Sequence, residues 1–147
     1  MERSASLVVD TGPLFAFVDR DDPAHERCEA LLASETGRLV VPMLAIAEVA
    51  HFLETRLGID DELRFLADLT VANLAPEAVH PADWFRISNL VERYSDLPLG
   101  IVDASVVAAA ERLGIRRIAT LDRRHFSIVR PSHVEAFELL PDELESE

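Results

Sequence analysis

The sequence predicts an α/β protein with a central, mostly parallel sheet of four to five strands and helices on both faces. Short apolar runs of strand type alternate along the chain with longer segments of helical periodicity. This alternation is typical of parallel βαβ units. The 147 residues, 49% of them hydrophobic, are enough for one domain with a sizeable core, and no repeat or linker divides them.

The first elements follow one another closely. Ser6–Val9 is an apolar run of strand type, and the Gly12–Pro13 pair behind it acts as a breaker. A short helix is expected to begin within Leu14–Val18. Pro23 suits the first turn of the next helix, which should extend to about Ser34.

The middle of the chain predicts one strand and two helices. Leu39–Val41 forms the strand. The pattern over Met43–Leu57 is helical and ends at Gly58, a residue that commonly follows a helix. Asp60 is the expected cap of the following helix, which extends to about Ala72.

The second half predicts two strands and two helices. Asn73–Val79 contains a weak strand, and Pro81–Tyr94 is an amphipathic helix. A strong helix over Ile101–Leu113 stops at Gly114, and Arg117–Leu121 is the next strand. Within the amphipathic helix, one apolar side is expected to pack in the core; it comprises Trp84, Ile87, Val91 and Tyr94.

Composition narrows the class of protein. The net charge is −13, and all 14 cationic side chains are arginine, whose planar fork suits phosphate. So acidic a chain does not bind nucleic acid through its overall field, and a polyanion must be held locally. The single Cys28 excludes an internal disulfide, and no apolar run is long enough to cross a membrane. A soluble cytoplasmic protein is therefore expected.

Four carboxylates interrupt otherwise apolar segments. Asp10 and Asp122 each end a predicted strand, whereas Glu48 and Asp103 are the only charged residues in VVPMLAIAEVA and PLGIVDASVVAAA. Taken singly, each has an ordinary explanation as a helix cap, an ion-pair partner or a complement to the helix dipole. Together they are harder to explain in this way, because burying a carboxylate costs free energy unless something compensates it.

Geometry brings these carboxylates together. In a parallel sheet, Asp10 and Asp122 lie at the carboxyl edge, where such folds place their ligands. Asp103 begins the helix that leads into the strand before Asp122, and Glu48 lies within two turns of the second strand's end. Converging anions must take up protons or bind cations. Oxygen ligands favour Mg²⁺, with Mn²⁺ as a substitute.

Four segments in this order resemble the PIN domain, and most closely the VapC toxins of bacterial toxin–antitoxin pairs. They are VVDTGPLFAFVD, AIAEVAHFL, DLPLGIVDASVVAAAERLG and IATLDRRHF. The resemblance covers about residues 7 to 130. It implies a single PIN domain over residues 1–140, followed by an acidic tail over residues 141–147.

The resemblance also implies a set of site residues. Asp10, Glu48, Asp103 and Asp122 become the acidic quartet that binds the metal and catalyses the reaction. Two hydroxyl residues support the quartet, and Asp96 is a weaker supporting candidate that also reads as a turn or cap residue. The two hydroxyl residues are Thr11 and Thr120.

Residues beside the last aspartate are candidates for substrate contacts. Arg123 and Arg124 directly follow Asp122 and are the first candidates for binding substrate phosphates, although a solvated loop pair would look the same. His125 is a candidate for proton transfer, but it also fits a loop or packing role.

The resemblance implies a metal-dependent endoribonuclease that hydrolyses RNA and is neutralised by a small VapB-like antitoxin. It also implies a homodimer and no membrane partner. Two alternatives stay open: a catalytically inactive PIN-like module that binds RNA or protein, and another metal-dependent phosphohydrolase. A phosphatase of the haloacid dehalogenase type would need a second aspartate at Gly12 and a downstream lysine, and the chain has neither.

Overall fold

The computed structural model describes residues 6–71 and 73–142. Within these residues the chain forms five strands and seven helices. The predicted tail lies largely outside this range, since residues 143–147 are not described. In chain order the elements are β1 (Leu7–Val9), α1 (Thr11–Val18), α2 (His25–Ser34), β2 (Leu39–Pro42), α3 (Met43–Arg56), α4 (Ile59–Thr70), β3 (Ala75–Glu77), α5 (Pro81–Arg93), α6 (Ile101–Leu113), β4 (Arg117–Ala119), α7 (Arg123–Ile128) and β5 (Glu138–Leu140).

The five strands form one sheet in the order β3-β2-β1-β4-β5. Every neighbouring pair is parallel, and Val8 of the central strand is in register with Val40 on one side and Ile118 on the other. The expected α/β class with a parallel sheet is therefore confirmed. β3 is an edge strand whose middle residue is the exposed Pro76.

The alternation of side chains along the strands divides the core in two. Val8 and Ile118 face a cluster with residues of α5 and α6. Leu7 and Val9 face a second cluster with residues of α1, α3 and α4. Successive strand residues point to opposite faces, so both faces of the sheet are covered by helices.

Several boundaries differ from the sequence-based expectations. α1 begins at Thr11 rather than Leu14, directly after Asp10. α2 begins at His25, because the Asp22 side chain accepts a hydrogen bond from Ala24 N (2.8 Å) and holds a turn there. α4 begins at Ile59 with Gly58 at its N-cap, so the expected capping role of Asp60 is wrong.

The predicted buried side of α5 holds for three of its four residues, since Ile87 is buried and Val91 and Tyr94 pack partly buried against the core. Trp84 is the exception. Trp84 is 49% exposed, whereas Asp83, Ile87 and Leu90 are buried. The reason is an ion pair, since Arg112 Nε of α6 lies 3.1 Å from Asp83 Oδ1. This contact turns the helix so that Asp83 faces α6 and the tryptophan faces outwards.

Two short elements were not predicted. α7 has six residues and β5 has three, and β5 pairs with β4 at the edge of the sheet opposite β3. None of the helices in the described ranges is both long enough and apolar enough to pass through a bilayer.

Candidate active site

Two of the predicted site residues lie just beyond neighbouring parallel strands. Asp10 follows β1 and is the N-cap residue of α1, with extended backbone angles. Asp122 lies beyond Thr120 and Leu121 at the end of β4 and is the N-cap residue of α7. Because β1 and β4 are adjacent, the two aspartates share the carboxyl edge of the sheet.

Helices bring the other two carboxylates to the same place. Glu48 lies in the second turn of α3, which follows β2 directly, and Asp103 lies in the first turn of α6. All four carboxylates line one open pocket of about 520 Å³. We call this the acidic pocket; its lining residues are Asp10, Thr11, Gly12, Glu48, Phe52, Asp103, Leu121 and Asp122.

Asp10 is the most deeply buried of the four carboxylates. Its exposed fraction is 4%. Burial, the largest cause, acts together with the negative charges of Asp103 and Glu48 to raise the pKa of this carboxyl from 3.8 to about 7. The Thr11 backbone amide and the Thr120 hydroxyl act in the opposite direction. Burial and the neighbouring carboxylates therefore disfavour the ionised form of Asp10 at neutral pH.

Thr120 connects two of the aspartates through one hydroxyl group. Its Oγ1 donates to Asp10 Oδ2 at 3.0 Å and accepts from the Asp122 backbone N–H at 3.0 Å. The residue is fully buried, so its position is set by packing as well as by these bonds. Thr120 thereby fixes the Asp10 carboxylate relative to the start of α7.

The Thr11 hydroxyl and the four carboxylates together indicate a cation site. The Thr11 Oγ1 atom is buried and has no hydrogen-bond partner among the residues that the structure describes. Buried hydroxyl groups normally have a partner, so an unpaired one beside four carboxylates calls for a ligand or water. Four carboxylates and a hydroxyl form a set of hard oxygen donors. These residues fit Mg²⁺ or Mn²⁺.

His125 joins two of the carboxylates, a role that the sequence reasoning did not favour. Its Nδ1 lies 2.9 Å from Asp103 Oδ2 and 3.1 Å from Asp122 Oδ2. One ligand atom from each of the three residues lies within 4.8 Å of the other two. The spacing of three residues between Asp122 and His125 could have indicated this contact, because the residue three positions after a helix N-cap lies beside the capping side chain.

The remaining candidates lie outside the acidic pocket. Arg123 is half-buried at the start of α7, and its Nη1 donates to the Leu139 carbonyl at 3.4 Å. Arg124 is exposed beside it. Asp96 is exposed in the turn before α6 and is not among the residues that line the acidic pocket.

The fold and this site define a parallel α/β domain with a carboxylate centre at the carboxyl edge of its sheet, suited to a divalent cation. A family model, the PIN domain, matches residues 7–130. Ribonuclease VapC26 of Mycobacterium tuberculosis is 34% identical over 135 residues, which are 92% of this chain and 100% of the relative. The chain belongs to the PIN domain family, and the expected resemblance to VapC toxins is confirmed.

Solved structures share the fold at lower identity. The crystal structure of Mycobacterium tuberculosis VapC20, a sarcin–ricin loop cleaving toxin, has a TM-score of 0.74 at 20% identity and covers 80% of this chain and 90% of its own. VapBC2 from Rickettsia felis, bound to a DNA fragment from its promoter, has a TM-score of 0.67 at 13% identity, with coverage of 92% and 99%. The same parallel fold thus recurs in toxin–antitoxin proteins.

Proposed function

We propose that this chain is a Mg²⁺-dependent endoribonuclease toxin of the VapC type that hydrolyses RNA phosphodiester bonds. One observation carries the proposal: four carboxylates from separate elements line one pocket, and the most buried of them has its pKa raised to about 7. Such a site favours a doubly charged cation. The similarity to ribonuclease VapC26 over nearly the whole chain supports ribonuclease activity.

In this proposal the acidic quartet holds the metal, with Asp10, Asp103 and Asp122 as direct or water-mediated ligands. A Mg²⁺ ion held by these residues would supply polarisation of the scissile phosphate, a lower pKa for the attacking water and stabilisation of the leaving oxygen. Glu48 is a further ligand or orients the attacking water. Thr120 keeps the Asp10 carboxylate in place through its 3.0 Å hydrogen bond.

His125 and the arginines complete the proposed roles. The His125 Nδ1 atom lies within hydrogen-bond distance of Asp103 and Asp122, so the ring orients both carboxylates. Arg124 is exposed next to this site and Arg123 begins the same helix, and we assign both to contacts with substrate phosphates. Asp96 remains a weaker candidate for a supporting role.

The proposed partners follow from charge and from the relatives. The net charge of −13 makes the chain a good acceptor for a basic protein segment, and we propose a small VapB-like antitoxin as that partner. VapBC2 from Rickettsia felis and a toxin–antitoxin complex from Klebsiella pneumoniae, with a TM-score of 0.66, share the fold. We further propose a homodimer and a location in the cytoplasm.

The test is cleavage of total cellular RNA, with 5′ ends mapped by sequencing. Wild type with Mg²⁺ should produce defined new 5′ ends, and Asp10→Asn should produce none, because a pocket ligand is lost. Asp60→Asn removes one charge from the exposed start of α4 and should cleave like wild type.

Two outcomes contradict the proposal. Cleavage by Asp10→Asn at the wild-type rate would exclude the catalytic assignment of the acidic pocket. Hydrolysis of small phosphate esters by wild type without RNA cleavage would favour a different phosphohydrolase.

A further inference from the structure

Helix α3 carries a row of side chains that leads out of the acidic pocket. Glu48, Phe52 and Arg56 are spaced four residues apart, so they share one face of the helix. The first two line the pocket, and the third lies about 12 Å along the helix axis from the first. The row therefore runs from a carboxylate, over an aromatic ring, to a cation in the last turn.

The guanidinium of Arg56 is held against aromatic rings. Its Cζ lies 4.2 Å from the centre of the Phe52 ring and 5.9 Å from that of Phe15. The two rings meet edge to face at 5.8 Å and an interplanar angle of 83°. An Arg stacked on a ring in this way has an ordered head group, so less freedom is lost when it binds a ligand.

The donors of Arg56 are unused within the part of the chain that the structure describes. The side chain is exposed and makes no hydrogen bond or ion pair with a described residue. The half-buried Arg86 and Arg112 are instead engaged with carboxylates: Arg86 contacts Glu111 at 2.7 Å, and Arg112 contacts Glu77 at 2.8 Å. Arg56 is thus an ordered cation whose N–H groups face solvent.

Charge explains why such a group is needed there. The pocket concentrates four carboxylates in a protein of net charge −13, and this field repels the phosphates of an approaching strand. A cation on the pocket's own helix offsets that repulsion locally. The planar fork of Arg can bind two phosphate oxygens at once.

We propose that Arg56 binds a phosphate of the RNA strand adjacent to the scissile one, and that Phe52 positions its guanidinium by stacking. The assignment rests on the proposed ribonuclease function and adds a substrate contact to it. It also implies that the bound RNA strand runs along helix α3 from the acidic pocket towards the C-terminus of that helix.

The experiment measures binding of a fluorescein-labelled, mixed-sequence single-stranded RNA by anisotropy, in the Asp10→Asn background so that the RNA stays intact. Arg56→Ala should weaken binding about tenfold and lower the log–log salt dependence by about 0.7, the loss of one phosphate contact. Arg56→Lys should keep the salt dependence but only part of the affinity. Phe52→Leu should weaken binding without changing the salt dependence.

Arg38→Ala is the matched control. Arg38 is an exposed arginine directly before β2, and it lies at the amino ends of the strands, whereas the acidic pocket lies at their carboxyl ends. It should change neither affinity nor salt dependence. Equal effects of Arg56→Ala and Arg38→Ala on RNA binding would overturn the proposal. So would a loss of binding in Arg56→Ala that Arg56→Lys does not restore and that denaturant unfolding shows to be a loss of stability.

Cleavage by the otherwise wild-type protein separates the two hypotheses. If wild type cleaves RNA and Arg56→Ala cleaves it with unchanged kcat/KM, the Arg56 assignment fails and the ribonuclease function stands. If wild type cleaves no RNA, the ribonuclease function fails. A roughly tenfold lower kcat/KM for Arg56→Ala, with Arg38→Ala unchanged, supports both.

Discussion

At the scale of the residue, Asp10 is a carboxylate whose burial costs stability. Asp10 is 4% exposed, between an apolar strand and an apolar helix. Its surroundings raise the pKa of the carboxyl to about 7. A residue chosen for stability alone would carry no charge here, so the cost indicates a role that needs an anion.

In the metal-free protein we expect the Asp10 carboxyl to lower the stability as the pH rises through the range between 3.8 and about 7. The folded state keeps the Asp10 proton that the unfolded chain has already released, so deprotonation favours unfolding. At pH 8 Asp10→Asn should be more stable than wild type, with an upper limit of roughly 4 kcal/mol for the difference. Urea unfolding with EDTA at pH 5 and pH 8 measures it.

The decisive quantity is the difference between the wild-type and Asp10→Asn stability curves, because titrating groups that do not interact with Asp10 cancel in it. Asp60→Asn, on the exposed start of α4, should leave the wild-type pH dependence unchanged. Parallel curves for wild type and Asp10→Asn would contradict the prediction.

The carboxylates of the acidic pocket could be predicted from the sequence, whereas the residues that contact them could not. Asp10 and Asp122 could be recognised because each follows an apolar strand, where burying a charge costs free energy. His125 did not, since its role depends on Asp103, a residue from another helix, coming within 2.9 Å. Contacts between distant segments leave no local pattern, and Phe52 beside the acidic pocket was missed for the same reason.

At the scale of the element, α6 supplies Asp103 at one end and a sharp stop at the other. Gly114 follows the helix with φ of 68°, and its N–H reaches the Glu111 carbonyl at 3.2 Å. This left-handed cap lets the chain turn directly into β4. The position of Asp122 beyond β4 therefore depends in part on this turn.

We expect Gly114→Ala to destabilise the protein by about 1 kcal/mol, because an L side chain is strained at this φ. Gly114→Asn is the matched control, because asparagine adopts the left-handed region more readily than alanine and should retain more of the stability. Thermal or urea unfolding of both variants measures the difference. Equal stability of Gly114→Ala and Gly114→Asn would exclude backbone strain at position 114 as the cause of any loss.

Long, strongly periodic elements were predictable, and short ones were not. α6 was predicted with the observed bounds, Ile101–Leu113. β5 has three residues and is stabilised by pairing with β4. No local sequence pattern indicates that pairing. On the predicted buried side of α5, Trp84 was misjudged: it is exposed, whereas Asp83, a polar residue, is buried with its ion pair to Arg112. The domain boundary near residue 140 stays a prediction.

At the scale of the whole molecule, the acidic pocket should couple metal binding to folding. We expect Mg²⁺ to raise the thermal midpoint of wild type, since a ligand that binds only the folded state stabilises it, by about 2.7 kcal/mol at a hundredfold excess over Kd. Asp10→Asn should lose most of this gain. Differential scanning calorimetry with Mg²⁺ or EDTA measures it, and equal gains in both proteins would contradict a site at the acidic pocket.

The sheet that builds this site ends on one side in β3, with Pro76 at its centre. A prolyl nitrogen carries no hydrogen, so this rim lacks one of the donors that a docking extended chain would use. Crowded copies of the protein are therefore less prone to join edge to edge through β3 into growing fibres.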